Sequence, residues 1–132
     1  MGRQYDVNLT SARAVDEKKT SAIDVILPGA RFDVLVEFEV GSAVRAFNGD
    51  YTLYATVRNQ TTLAPVATVS KSGSLAGQQT LEPTTVPETI EIPAGWVANT
   101  GDVLDVLVSL LYKTGSIDDQ DAATTTTFLV SQ

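Results

Sequence analysis

The chain contains no cysteine and no histidine, a single tryptophan, a single methionine, and 9 basic residues against 16 acidic ones. Without a thiol or an imidazole there is no Cys–His or Ser–His–Asp nucleophile, no thiolate or imidazole metal site, no thiol redox centre and no disulfide. Carboxylate, lysine, tyrosine and backbone chemistry remain. The net charge of −7, with Lys and Arg scattered, leaves no basic patch and sets nucleic acid aside as a partner. Long hydrophobic runs are missing too. Asp105 and Ser109 interrupt the most apolar stretch, so no segment reaches the roughly 18 residues of a membrane-spanning helix, and membrane insertion is not expected. The start, Met1-Gly2-Arg3-Gln4-Tyr5-Asp6, has no apolar core of the kind that directs export. That fits a chain kept where it is made or one from which a leader has been trimmed. Lack of cysteine suits either compartment, so localisation stays open, an extracellular surface or a virus particle included.

What is abundant points one way. The 132 residues include 17 Thr, 16 Val and 5 Ile. Such β-branched side chains fit a pleated surface and lose rotamer freedom in a helix. The length suits one domain, residues 1–132, with a core large enough to hold without staples. Period-two alternation then places strands. Tyr5, Val7 and Leu9 alternate with Asp6, Asn8 and Thr10 in a first strand running toward Val15. Asp16-Glu17-Lys18-Lys19 reads as a solvated turn, Ser21 to Leu27 as a short strand stopped by Pro28-Gly29. From Ala30 to Val40 the pattern is cleanest: Phe32, Val34, Val36, Phe38 and Val40 share one face, and Arg31, Asp33, Glu37 and Glu39 the other. Gly41 to Gly49 is a loop, Tyr51 to Arg58 a strand, and Leu63 to Lys71 a strand pushed to a sheet edge by Pro65. Ser72 to Gln79 is open between strand and loop. Val86 to Ile92, set among Pro83, Pro87 and Pro93, reads as another edge, followed by a turn at Ala94 to Asn99 that contains Trp96. Val103 to Tyr112 is apolar on both alternating sets and is expected to be covered on both faces. Gly115 to Asp121 reads as an acidic loop and Thr124 to Val130 as the last strand.

The motif G-x-x-x-D-V-L-V occurs at Gly29 to Val36 and again at Gly101 to Val108. In that register Phe32, Val34, Val36, Phe38 and Val40 align with Leu104, Val106, Val108, Leu110 and Tyr112. The ten are the expected core, on two central strands packed face to face. Any two buried strands entered from a glycine turn share some of this pattern, and one echo does not make a repeat array. Seven to nine short strands with turn signals between them indicate an all-β sandwich or a barrel, and an antiparallel sandwich is the expectation.

Three stretches carry a further resemblance: Leu27-Pro28-Gly29-Ala30-Arg31-Phe32 ahead of its alternating strand, Ile90-Glu91-Ile92-Pro93-Ala94-Gly95, and Gly101 to Tyr112. Together the chain resembles an immunoglobulin-like β-sandwich of the bacterial adhesion or CARDB type, a likeness of architecture over nearly the whole length. The antibody hallmarks are missing, since there is no Cys pair and Trp96 falls in a late connection. The resemblance implies binding, spacing or assembly roles without selecting among them.

Candidate sites follow from side-chain chemistry. Asp118, Asp119 and Asp121 form the sharpest cluster, because calcium takes several oxygen ligands; the spacing lacks the Asp-x-Asp-x-Asp-Gly form, and a solvated acidic turn explains it equally. Trp96 and Tyr54 are the aromatic supply for a carbohydrate platform, although a loop Trp also serves to plug a sandwich end. Glu37 and Glu39 share a face within reach of a glycosidase pair, but a flat sheet face offers no pocket. The sequons Asn8-Leu9-Thr10 and Asn59-Gln60-Thr61 are read as coincidence in a Thr-rich chain. Leu35, Leu107 and Leu111 on outer faces, and first and last strands without an edge guard, point to protein contact or self-association. The expectation is a non-enzymatic structural or protein-interaction module without a required cofactor, part of a larger assembly or surface array. The alternatives are a carbohydrate-binding module, a decoration or tail protein of a virus particle, and a calcium-dependent module.

Overall fold

A computed structural model describes residues 7–17, 19, 21–115 and 117–132; Met1 to Asp6, Lys18, Thr20 and Ser116 lie outside the described residues, and with them Tyr5 at the head of the expected first strand. Among those described there are nine strands and one short helix in two packed sheets, as the β-branched composition requires. β1 (Val7–Asp16), β3 (Phe32–Val40) and β6 (Thr84–Ile92) form the smaller sheet in the order β1-β3-β6. β2 (Val25–Ile26), β9 (Phe128–Val130), β7 (Val103–Thr114), β4 (Gly49–Asn59) and β5 (Ala64–Leu75) form the larger in the order β2-β9-β7-β4-β5, and β8 (Ile117–Thr124) pairs with β7 beyond the end of β9. Every pairing is antiparallel except that of β2 with β9, which is parallel and departs from the all-antiparallel expectation.

The two strands bearing the shared motif are the middle strands of the two sheets. All ten expected core residues are at most 2% exposed, and they join side chains of both sheets in one contiguous core. Both motifs enter their strands from a glycine in the left-handed region, Gly29 at φ 74° and Gly101 at φ 99°, which only glycine adopts freely. Between the layers Phe32 meets Phe128 edge-on at 5.5 Å, and Phe38 meets Tyr51 at 4.9 Å. Contacts of this kind add to burial worth about 1.5 to 3 kcal/mol per large side chain.

Several expected boundaries move, each for a physical reason. The strand expected over Ser21 to Leu27 shrinks to β2, because the chain changes sheets there. Ile23 donates its amide to the Ala14 carbonyl (2.9 Å) on the edge of the small sheet, while Leu129 donates to Asp24 O (2.8 Å) on the large one. The loop from Gly41 to Gly49 holds a single helical turn, α1 (Ser42–Arg45), whose buried Arg45 donates to the carbonyl of Ala76 and to Gln78 Oε1. β5 runs on to Leu75 instead of stopping at Lys71, since Ser72, Gly73 and Ser74 keep register with Thr52, Tyr51 and Asp50. The acidic loop expected over Gly115 to Asp121 is instead the turn and first half of β8, and Thr124 ends β8, so the last strand is only β9. The outer face of β7 is half covered, with Val103, Leu107 and Leu111 partly exposed, where both faces were expected to be buried. Asp33 and Asp105, at equivalent places in the two motifs, are buried. Asp105 receives a bidentate pair from Arg58 at 3.0 and 2.8 Å.

Two inner-face tyrosines lie over glycines of the neighbouring backbone. A methyl group on Gly49 would overlap the Tyr112 phenol, and one on Gly73 would overlap that of Tyr51. Tyr112 is 1% exposed and cannot swing aside. Gly49→Ala is therefore expected to lower the unfolding free energy by about 1 to 3 kcal/mol through overpacking; an unchanged urea midpoint would show that the Tyr112 ring lies elsewhere.

Candidate functional site

A sandwich of open sheets has strand edges along both flanks, and each edge exposes unpaired amides and carbonyls. Along one flank β1 lies beside β8. The Asp119 and Asp121 side chains share the inner face of β8, two residues apart, opposite Tyr112 and Leu110. Their carboxylates reach across to β1. Val7 donates its amide to Asp119 Oδ2 at 2.8 Å, and Leu9 donates to Asp121 Oδ2 at 2.8 Å. The second oxygen of each accepts from its own strand, Gln120 N to Asp119 Oδ1 and Ala122 N to Asp121 Oδ1, both at 2.9 Å. Two acidic side chains thus cap four amides on two facing edges, by charge-assisted hydrogen bonds. Further along, the Val15–Ala22 bridge and the bond from Ile23 to Ala14 cover the far end of the β1 edge.

This geometry revises the expected calcium cluster. Asp118 projects from the opposite face of β8, in register with Lys113, so the three carboxylates do not converge. Among the described residues no group of three or more acidic side chains could hold a metal ion. It also revises the expected free edges: β1 is capped at Val7 and Leu9 and covered at Ala14 and Val15, and β9 lies between β2 and β7.

The aromatic pair is separated as well. Trp96 is 7% exposed, donates its indole N–H to the Ala30 carbonyl at 2.8 Å and packs edge-on against Phe32. It closes one end of the core and offers no stacking surface. Tyr54 is exposed on the outer face of the large sheet, beside a depression lined by Ser109, Leu111, Gln120 and Ala122. Asn59 of the second sequon is 4% exposed; its Nδ2 donates to Asp102 Oδ2 at 2.8 Å, and its Oδ1 accepts from Thr61 and Thr62. Glu37 is exposed on the outer face of β3, in register with Ser11 and Pro87.

On the opposite flank β5 lies beside β6. Glu88 of β6 receives the Tyr51 hydroxyl of β4 and pairs with Lys71 of β5 at 3.0 Å. The same ammonium donates to the Thr89 carbonyl at 2.9 Å. Burial pushes the Tyr51 phenol far up, and Glu88 adds to the shift through the hydrogen bond and its charge. Burial also acts to raise Glu88, but the hydrogen bonds from Tyr51 and Lys71 and the Lys71 charge outweigh it and hold the carboxyl below its usual range. Pro87 stands where β6 turns its backbone outward, and its missing amide blunts that edge.

β5 has no comparable cover. Gln60 donates its amide to the Val103 carbonyl at 2.7 Å, which fixes which β4 residues bond β7. Antiparallel alternation then turns the backbones of Tyr51, Leu53 and Ala55 toward β5 and leaves Thr68, Ser70, Ser72 and Ser74 facing outward. Among the described residues β5 pairs with β4 alone. The outward residues are small, hydroxylated and exposed. Their alternation in Thr68 to Ser74 was the available signal for this edge; nothing local in the sequence announced the Tyr51–Glu88–Lys71 contact, which joins three strands. Compared with protein-family models and with curated proteins, the chain matches none.

Replacing both Asp119 and Asp121 by Ala is expected to lower stability by about 2 to 4 kcal/mol, at the low end for charged hydrogen bonds because both side chains are half-exposed; loss below about 0.5 kcal/mol in urea melts would contradict the capping role. Glu88 gives a pH signature. Its depressed carboxyl contributes stability that is complete above the unfolded value and fades as the pH falls through the folded one. The wild-type chain should therefore lose more stability than Glu88→Gln between roughly pH 5 and pH 3, as followed by thermal melts; parallel curves would show that Glu88 is unpaired.

Proposed function

We propose that this chain is a non-enzymatic structural module of immunoglobulin-like architecture that works through protein contact at its β5 edge, as one part of a larger assembly. The strand orders β1-β3-β6 and β2-β9-β7-β4-β5, with a short first-sheet-to-second-sheet switch before the central strand, support the immunoglobulin-like reading. The observation that carries the functional reading is the asymmetry of the edges. Asp119 and Asp121 close one flank and Pro87 blunts β6, while the 12-residue β5 keeps its outward backbone unpaired among the described residues. An extended strand is the natural complement of such an edge, because backbone hydrogen bonds supply the affinity. Of the groups expected to carry other chemistry, Trp96 is engaged in the core and Asp119 and Asp121 in capping.

Of the two aromatics expected to form a carbohydrate platform only Tyr54 is exposed, and the residues lining the depression beside it include no second stacking ring. A role in a virus particle is one form of the assembly reading, suggested by the Thr-rich, cysteine-free composition. No described helix is long and apolar enough to cross a membrane.

Ser70→Pro tests the reading. An outward-facing amide on an edge strand tolerates proline, so the domain should fold with its melting temperature little changed while strand addition is blocked. In extracts of its native source, the wild-type chain is expected in a complex well above the 14.0 kDa of one chain, and the Ser70→Pro chain free. A wild-type chain found free, or a variant retained in the complex, would overturn it.

A further inference from the structure

Resting on the reading that the β5 edge is the working surface, we propose that its occupant is a second copy of this chain. The two β5 strands pair antiparallel about a two-fold axis, making one continuous sheet from the two larger ones. In such a pair, outward-facing residues must meet outward-facing residues. An axis at Lys71 would set two ammonium groups opposite each other. Axes at Ser70 or Ser72 avoid this: the first places Thr68 opposite Ser72 of the second copy, the second places Ser70 opposite Ser74.

Two observations place the contact at β5, and a third favours a second copy over a foreign strand. The first is charge. Each molecule carries −7, yet β5 has no carboxylate, whereas β1, β6 and β8 carry Asp16, Glu91 and Asp118. Two like-charged molecules therefore approach with least repulsion along β5. The second is the position of Lys71, the only charge on the strand. Lysine on an edge ordinarily repels an incoming strand. Here its ammonium points toward β6, onto Glu88 at 3.0 Å and the Thr89 carbonyl at 2.9 Å, so its charge is paired. The third is side-chain pairing. The outward-facing residues Thr68, Ser70, Ser72 and Ser74 carry neither charge nor ring, so at these positions a foreign sequence would be recognised chiefly through backbone. A second copy supplies matching hydroxyls, and the sheet already contains such a cross-strand pair, Thr52 with Ser72 at 3.2 Å.

The test uses the full purified chain, whose lack of cysteine makes single-cysteine variants unambiguous. Sedimentation velocity should show mass rising toward twice the monomer value with concentration, more readily as salt screens the net charge. Under mild oxidation Ser70→Cys or Ser72→Cys, whichever lies at the axis, should form disulfide-linked dimers several-fold faster than Ala122→Cys on the capped β8 edge, and Ser70→Pro should abolish the dimer without shifting the melting temperature. A chain that stays monomeric at every concentration, with both Ser variants linking no faster than Ala122→Cys, overturns the second-copy proposal. The separate experiment in source extracts then decides the wider reading: loss of the native complex in Ser70→Pro would assign the edge to a different chain.

Discussion

Two sheets pressed together leave rows of backbone amides along their flanks with nothing to bond, and the shape of this molecule follows from how those rows are closed. Asp119 and Asp121 perform most of the closure on one side. Each splits its two oxygens between the strand that carries it and the edge of the opposite sheet, so four amides are satisfied by two side chains. The same bonds fix β1 against β8 and bind the two layers without disulfide or metal. A neutral side chain could accept one of the two bonds with similar geometry, but only a carboxylate accepts both with full charge.

The other flank is joined differently, and the difference shapes the functional reading. Tyr51, Glu88 and Lys71 draw β4, β6 and β5 together through groups on their inner and lateral sides. This arrangement holds the layers but covers none of the outward backbone from Thr68 to Ser74. It also pairs the one charge on β5 with a carboxylate. Lys71 thus ties β5 to β6 across the flank while its charge is met by Glu88, and the outward backbone of β5 stays open.

The central architecture was legible from one-dimensional pattern. The alternation through Phe32 to Val40 and the apolar run through Leu104 to Tyr112 are direct consequences of strands lying against a core, and all ten side chains are buried. The flanks were not legible, because their partners are far apart in the chain. Asp118, Asp119 and Asp121 look like a wet loop when read locally; only the β1 edge, more than 100 residues away, makes two of them structural. Trp96 reads as a loop aromatic until the Ala30 carbonyl and Phe32 ring are placed beneath it. Ser72 to Leu75 lacks apolar periodicity because its outward residues meet no core, and the Tyr51 ring over Gly73 supplies the packing the glycine lacks. Pro65 correctly marks β5 as an edge strand, yet it blunts only the first turn of that edge.

Residue-resolved amide hydrogen exchange on the dilute chain tests the division between closed and open edges most directly. The account predicts slow exchange at Val7, Leu9, Gln120 and Ala122, whose amides the two carboxylates hold, and fast exchange at Thr68, Ser70, Ser72 and Ser74. Equal rates in the two sets, or protection of the β5 amides in the monomer with free exchange at Val7 and Leu9, would contradict it.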